Sequence, residues 1–144
     1  MTPVTTTDLV QHSVVAKLQL GSEILRAYLR ARWAMRGGVE TRQAVVRLRS
    51  HARRHLIDAP PEREIVAGWR LANAVVKTIS RLPADSRCLF RSLTLLSVME
   101  RRGLSPTLVI AVRAQPFAAH AWIELHGTAL LPAGDPGFER LAEL

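Results

Sequence analysis

The sequence predicts an α+β fold, with helices over the first part of the chain followed by a core in which a helix starting at Cys88 packs on a small antiparallel sheet. Three observations predict it. Apolar residues recur at helical spacing as far as about residue 101. The texture then changes to a β-branched, nearly continuous apolar run at Thr107–Arg113. Alternation in the stretch that His120 opens, through Ala121, Trp122, Ile123, Glu124 and Leu125, reads as a strand. At 144 residues and 48% hydrophobic content one core is expected, with residues 1–82 as a helical part packed on a core formed by residues 83–144.

From Asp8 to Met35, Leu9, Val14, Leu18, Leu25, Leu29 and Trp33 mark a helical unit with a break near Gly21-Ser22, closed by Gly37-Gly38. Thr41 is placed to cap a second helix carrying Val45, Leu48, Ala52 and Leu56 on one face, which Ala59-Pro60-Pro61 stops. Pro61 with Glu62 and Glu64 suits the first turn of a third helix, whose apolar positions Ile65, Trp69, Ala72, Val76 and Ile79 predict the buried face. It ends at Pro83. The Cys88 helix follows, with Asp85 and Ser86 as caps and Gly103 after its basic last turn. Residues 107–113 and the His120 segment form strands, and His126-Gly127 turns the chain into a hairpin with Thr128–Leu131. Pro132–Gly137 closes the regular structure.

Composition narrows the function classes. No run of about 18 apolar residues is free of arginine, which excludes a membrane span, and the N-terminus lacks a basic region with a small-residue cleavage site, so the cytoplasm is the expected compartment. A lone cysteine with five scattered histidines gives neither a disulfide nor zinc-ligand spacing, so no cofactor or metal is expected. The net charge of +8 lies wholly in the N-terminal part: residues 1–82 hold 14 Lys and Arg against 6 Asp and Glu, and the remainder is balanced. A basic surface of this kind suits an acidic peptide, an acidic protein, an anionic membrane surface or a nucleic acid. Nucleic acid is disfavoured, because Tyr28, Trp33 and Trp69 are the only aromatics there and make no stacking platform.

Cys88 is the candidate nucleophile. At a helix start it faces free backbone N–H groups and the positive end of the helix dipole, which favour a thiolate, and its own amide is a donor for an oxyanion. His120 is the candidate base and acid: it shares a strand face with Trp122 and Glu124, and if that face meets the Cys88 helix the two side chains come within hydrogen-bond reach. His126, at a turn, competes weakly. Trp122 is read as a packing residue, and Arg91 as one member of a salt bridge, with Asp135 or Glu124 as its partner.

These residues carry a resemblance. Cys88-Leu89-Phe90-Arg91-Ser92-Leu93, followed by Gly103-Leu104, Leu108–Arg113, Pro116-Phe117 and His120-Ala121-Trp122-Ile123-Glu124, resembles the transglutaminase-like (papain-like) core of lasso-peptide leader peptidases. The matching stretch covers about residues 86–127. The resemblance implies a cysteine protease that cuts the leader from a ribosomally made precursor peptide, in the split, protease-only form. Its implied partners are the precursor's leader region, a separate leader-recognition protein and a macrolactam-forming cyclase, with the basic N-terminal helices placed to meet the leader or the recognition protein. The chain departs from the family in two places. Ala111 stands where many relatives have glycine, and Pro132 stands where an aspartate about a dozen residues after the histidine is common. The nearest aspartate, Asp135, is expected to orient His120, with Glu124 as the alternative. Two rival functions share the same residues: a catalytically degenerate binding module, and acyl transfer to an amine through the same thioester.

Overall fold

The computed structural model describes residues 6–50, 59–82 and 88–144, with side chains of the first helix described from Val14 onward. Within these residues the order is α1 (Thr6–Ala34), α2 (Thr41–Ser50), α3 (Pro61–Ser80), α4 (Cys88–Arg101), then β1 (Thr107–Arg113), β2 (Ala118–Leu125), β3 (Thr128–Ala129) and β4 (Glu139–Glu143). The fold is α+β.

α1 runs through Gly21-Ser22 without the expected break. The glycine costs the helix about 1 kcal/mol relative to alanine. Ser22 is accommodated by donating its hydroxyl to the Gln19 carbonyl at 2.9 Å, and one glycine in so long a helix does not stop it. The buried stripe of α1 is Ile24, Ala27, Tyr28, Ala31 and Ala34; Leu18, Leu25, Leu29 and Trp33 point outward. At α2, Glu40 rather than Thr41 sits in the cap position, its carbonyl accepting the Ala44 N–H. Ala52 and Leu56 lie outside the described residues.

α3 begins at Pro61 as its missing N–H allows, with Glu62 and Glu64 in the first turn. It ends at Ser80. Its buried face is Gly68, Leu71, Ala72, Val75 and Ile79, turned one step from the expected Trp69–Val76 face. The cause is Gly68. A Cβ there would stand 2.7 Å from Leu130 Cδ1, so Leu130 packs straight onto the helix backbone. Trp69 is displaced to the rim, 47% exposed, where its Nε1 donates to the Ala129 carbonyl at 3.3 Å.

α4 is the centre of the molecule. Every side chain from Ser92 to Met99 is buried, as befits a helix apolar on all sides. It packs against α1 and α3 on one side and against β2 on the other. One hydrophobic cluster joins α1, α2, α3, α4 and the sheet, so the core runs without interruption from the first half of the chain into the second.

The sheet has the order β3-β2-β1-β4, antiparallel throughout. β2 pairs with β1 in the register Ala111↔His120 and Val109↔Trp122. A two-residue turn with φ 50° at His126 and 77° at Gly127 joins β2 to β3, both in the left-handed region as a tight hairpin of this twist requires. β4 was not foreseen from the sequence: the chain does not close at Gly137 but returns to pair with the other edge of β1, through a bulge between Ile110 and Ala111. Its residues Glu139, Arg140 and Glu143 are charged and exposed, which shields an edge strand from further pairing. No helix among the described residues is long and apolar enough to cross a membrane.

Candidate active site

Cys88 opens α4 and is half-buried. Phe90, two residues on, turns toward α1, meeting Tyr28 edge-on with ring centroids 6.3 Å apart under the Arg32 guanidinium. Two residues turn an α-helix by about 200°, so Cys88 looks away from α1. Ser92, Leu95 and Met99 share that face by the same periodicity. Ser92 is fully buried and its hydroxyl has no hydrogen-bond partner among the described residues. Asp85 and Ser86, expected to cap this helix, lie outside the described residues.

The connection from Arg102 to Pro106 is short and reverses the chain at Gly103, whose φ is 80°. β1 follows directly, and toward its far end Ala111 pairs with His120. His120 is half-buried, its ring 5.7 Å from that of Trp122 and 6.1 Å from that of Phe138. Its Nε2 stands 2.6 Å from the carbonyl oxygen of Pro132. A carbonyl only accepts, so Nε2 carries the proton and donates it. In the neutral ring Nδ1 is then the basic nitrogen, and no hydrogen bond occupies it among the described residues. Nor does any hydrogen bond join His120 to Cys88 there: what the structure supplies is the packing of α4 on β2.

Pro132 is the residue at which many members of the resembled family carry aspartate, and here its backbone takes the imidazole. Asp135 is not joined to His120. Its Oδ2 accepts from Arg113 Nη1 at 3.1 Å and its Oδ1 accepts the Gly137 N–H at 3.0 Å. The Arg113 guanidinium also lies over the Phe138 ring, 5.0 Å from its centroid. Asp135 thus fastens the 132–138 loop to the end of β1, and that loop delivers both the Pro132 carbonyl and the Phe138 ring to His120.

Glu124 is engaged elsewhere too. Buried, it accepts from Trp122 Nε1 at 3.0 Å and from both terminal nitrogens of Arg140, at 3.2 and 2.9 Å. Arg140 also covers the Trp122 ring at 5.7 Å. The Glu124 hydrogen bonds, then those of Glu143, hold the Arg140 guanidinium above its ordinary pKa. The alternation of β2 sets His120, Trp122 and Glu124 on one face, so the strand places a free ring nitrogen and a locked tryptophan side by side. The carboxylates expected to pair with Arg91 are therefore taken by Arg113 and Arg140, and Arg91 Nε is buried without a hydrogen-bond partner among the described residues. His126 ion-pairs with Glu64 of α3, which ties the hairpin tip to the helices and leaves it apart from His120.

Sequence reasoning missed the Pro132 carbonyl, Phe138 and Arg140. The carbonyl has no residue-type signature at all; the other two sit on or beside the unforeseen β4. Among the described residues no group of three or more His, Cys, Asp or Glu is placed to hold a metal ion. The arrangement offers a thiol at a helix start, an imidazole with one nitrogen fixed and one open, and a packed indole beneath it.

Neither the curated proteins nor the solved structures contain a match to this chain. The family model of the transglutaminase-like superfamily matches residues 25–143, from within α1 to the end of β4 and across both parts of the core. That match takes in the helical half as well as the Cys88–Glu124 stretch, and on it the chain belongs to the transglutaminase-like superfamily.

Proposed function

We propose that the protein is a cysteine peptidase that removes the leader segment from a ribosomally synthesised lasso-peptide precursor, ahead of macrolactam formation by a cyclase. Membership of the superfamily supports cysteine-based acyl chemistry. The Cys88–Leu93, Leu108–Arg113 and His120–Glu124 motifs support the narrower reading. The observation that carries the mechanism is the hydrogen bond from His120 Nε2 to the Pro132 carbonyl, because it fixes the tautomer in which Nδ1 acts as base.

In this mechanism the Cys88 Sγ attacks the scissile carbonyl and its proton passes to His120 Nδ1. The oxyanion is met by the Cys88 amide at the start of α4. Collapse breaks the C–N bond as Nδ1–H protonates the leaving amine, which departs as the free N-terminus of the core peptide. Water then adds to the thioester, giving its proton to Nδ1, and the leader leaves as a carboxylate while the thiol is restored. Asp135 serves as a positioning residue through the 132–138 loop. The precursor's leader and a separate recognition protein are the partners this reading requires.

Cys88→Ala and His120→Ala are each expected to abolish precursor cleavage in the presence of the recognition protein, with the circular dichroism spectrum unchanged. Leader release by purified Cys88→Ala would overturn the mechanism. Asp135→Asn should lower the cleavage rate by no more than about ten-fold, since direct loss of a histidine-orienting carboxylate costs about 10⁴-fold; a loss near that figure would return Asp135 to the imidazole. One observation favours a second reading, a binding module on the same scaffold: Cys88 and His120 share no hydrogen bond among the described residues. Acyl transfer to an amine shares every step to the thioester, and product mass with and without added amine separates it from hydrolysis.

A further inference from the structure

We propose that the groove between α1 and α2 is the docking site for an acidic amphipathic helix of a partner protein. On the side of α1 away from the core, Leu18, Leu25, Leu29 and Trp33 are 69%, 39%, 63% and 74% exposed. Their spacing of seven, four and four residues sets them in one line along the helix. A line of large apolar groups at this spacing is what a helix laid alongside would cover. It extends over about 22 Å at 1.5 Å per residue, the length of about four turns of a partner helix. At its C-terminal end the line enters a groove of about 810 Å³ lined by Leu29, Arg30, Trp33, Ala34, Arg47 and Leu48.

Arg30 supplies the charge argument. Its Nε and Nη2 are buried and have no hydrogen-bond partner among the described residues. Burial first, and then the neighbouring Arg101, press its pKa below the ordinary value for arginine. A guanidinium left in this condition is costly, and a change of rotamer that turns it into the groove would let a carboxylate there take both N–H groups in a bidentate pair. Arg47 lines the same groove. The surrounding half of the chain carries 14 Lys and Arg against 6 Asp and Glu, so the field at the groove attracts acids. The occupant therefore presents leucine-like residues to Leu18–Trp33 and a glutamate or aspartate to Arg30. A nucleic acid would satisfy the arginines but leave the aliphatic line in water. The inference concerns binding alone and does not rest on the chemistry of Cys88.

The test uses the full chain and a fluorescein-labelled, designed 18-residue helical peptide with leucine at i, i+4, i+7 and i+11 and glutamate at most other positions. Two further probes are the same peptide with lysine for glutamate and a labelled oligothymidine. Anisotropy should give a micromolar Kd for the acidic peptide and none measurable for the basic one. Leu29→Ser and Arg47→Glu, both exposed positions that leave the fold intact, should each weaken acidic-peptide binding at least ten-fold. Val66→Ser, an exposed apolar position on α3, should leave it unchanged. Equal binding of the two peptides, no binding of the acidic one, indifference to Leu29→Ser and Arg47→Glu, or tighter binding of oligothymidine would each overturn the proposal.

Discussion

α4 and α1 lie against each other, yet they are built in opposite ways. α4 is buried on every side from Ser92 to Met99, and it meets the surface at the end where Cys88 stands half-buried. α1 is buried along one stripe only, and its opposite side carries Leu18, Leu25, Leu29 and Trp33 into solvent for most of its length. In α4, then, interior side chains hold the fold and the terminus with its thiol reaches the surface. In α1 one face holds the fold and the other is left for contact. Residue type does not tell the two situations apart, since leucine serves in both; the neighbours decide.

The sharpest way to break this comparison is to make the same substitution in both helices. Leu96→Ala removes a fully buried side chain at the centre of α4, and is expected to cost about 2–5 kcal/mol in urea unfolding. A cost below about 1 kcal/mol would mean that α4 is not the packed centre described. Ser92→Ala probes α4 differently. Its hydroxyl is buried without a partner among the described residues, so its removal should be neutral or stabilise by up to about 1 kcal/mol, where an ordinary buried hydrogen bond would give a loss of about that size. Leu29→Ala, on the open side of α1, should change stability by no more than about 0.5 kcal/mol. A larger loss there would show that this face is covered.

How much of this was legible depended on whether the cause was local. The start of α4 at Cys88, the span of β1 and the His126-Gly127 turn all follow from residue types within a few positions, and the structure has them as expected. β4 was hidden because Glu139-Arg140-Leu141-Ala142-Glu143 has little apolar content, and its strand character comes from pairing with β1 some thirty residues earlier. The rotation of α3 was hidden because it depends on Leu130 reaching Gly68 from the far end of the chain. At the candidate site, Cys88 and His120 were visible as residue types with chemistry. What holds His120 was not, since a backbone carbonyl is offered by every residue and only the path of the 132–138 loop brings Pro132 to the ring.

That loop also explains why a search for carboxylates misleads here. Both acids within reach by sequence, Glu124 and Asp135, are saturated by arginines of β4 and β1. Their charge stiffens the frame around the imidazole, leaving the ring itself one fixed nitrogen and one open one.

The central claim is that the open nitrogen of His120 serves the thiol of Cys88. The most direct measurement is the rate of alkylation of the protein by iodoacetamide at neutral pH, which reports on Cys88 alone because it is the only cysteine. The wild-type protein is predicted to react at least about ten-fold faster than glutathione, and His120→Ala to fall to the rate of the free thiol. A wild-type rate no greater than that of glutathione, unchanged by His120→Ala, would contradict the account.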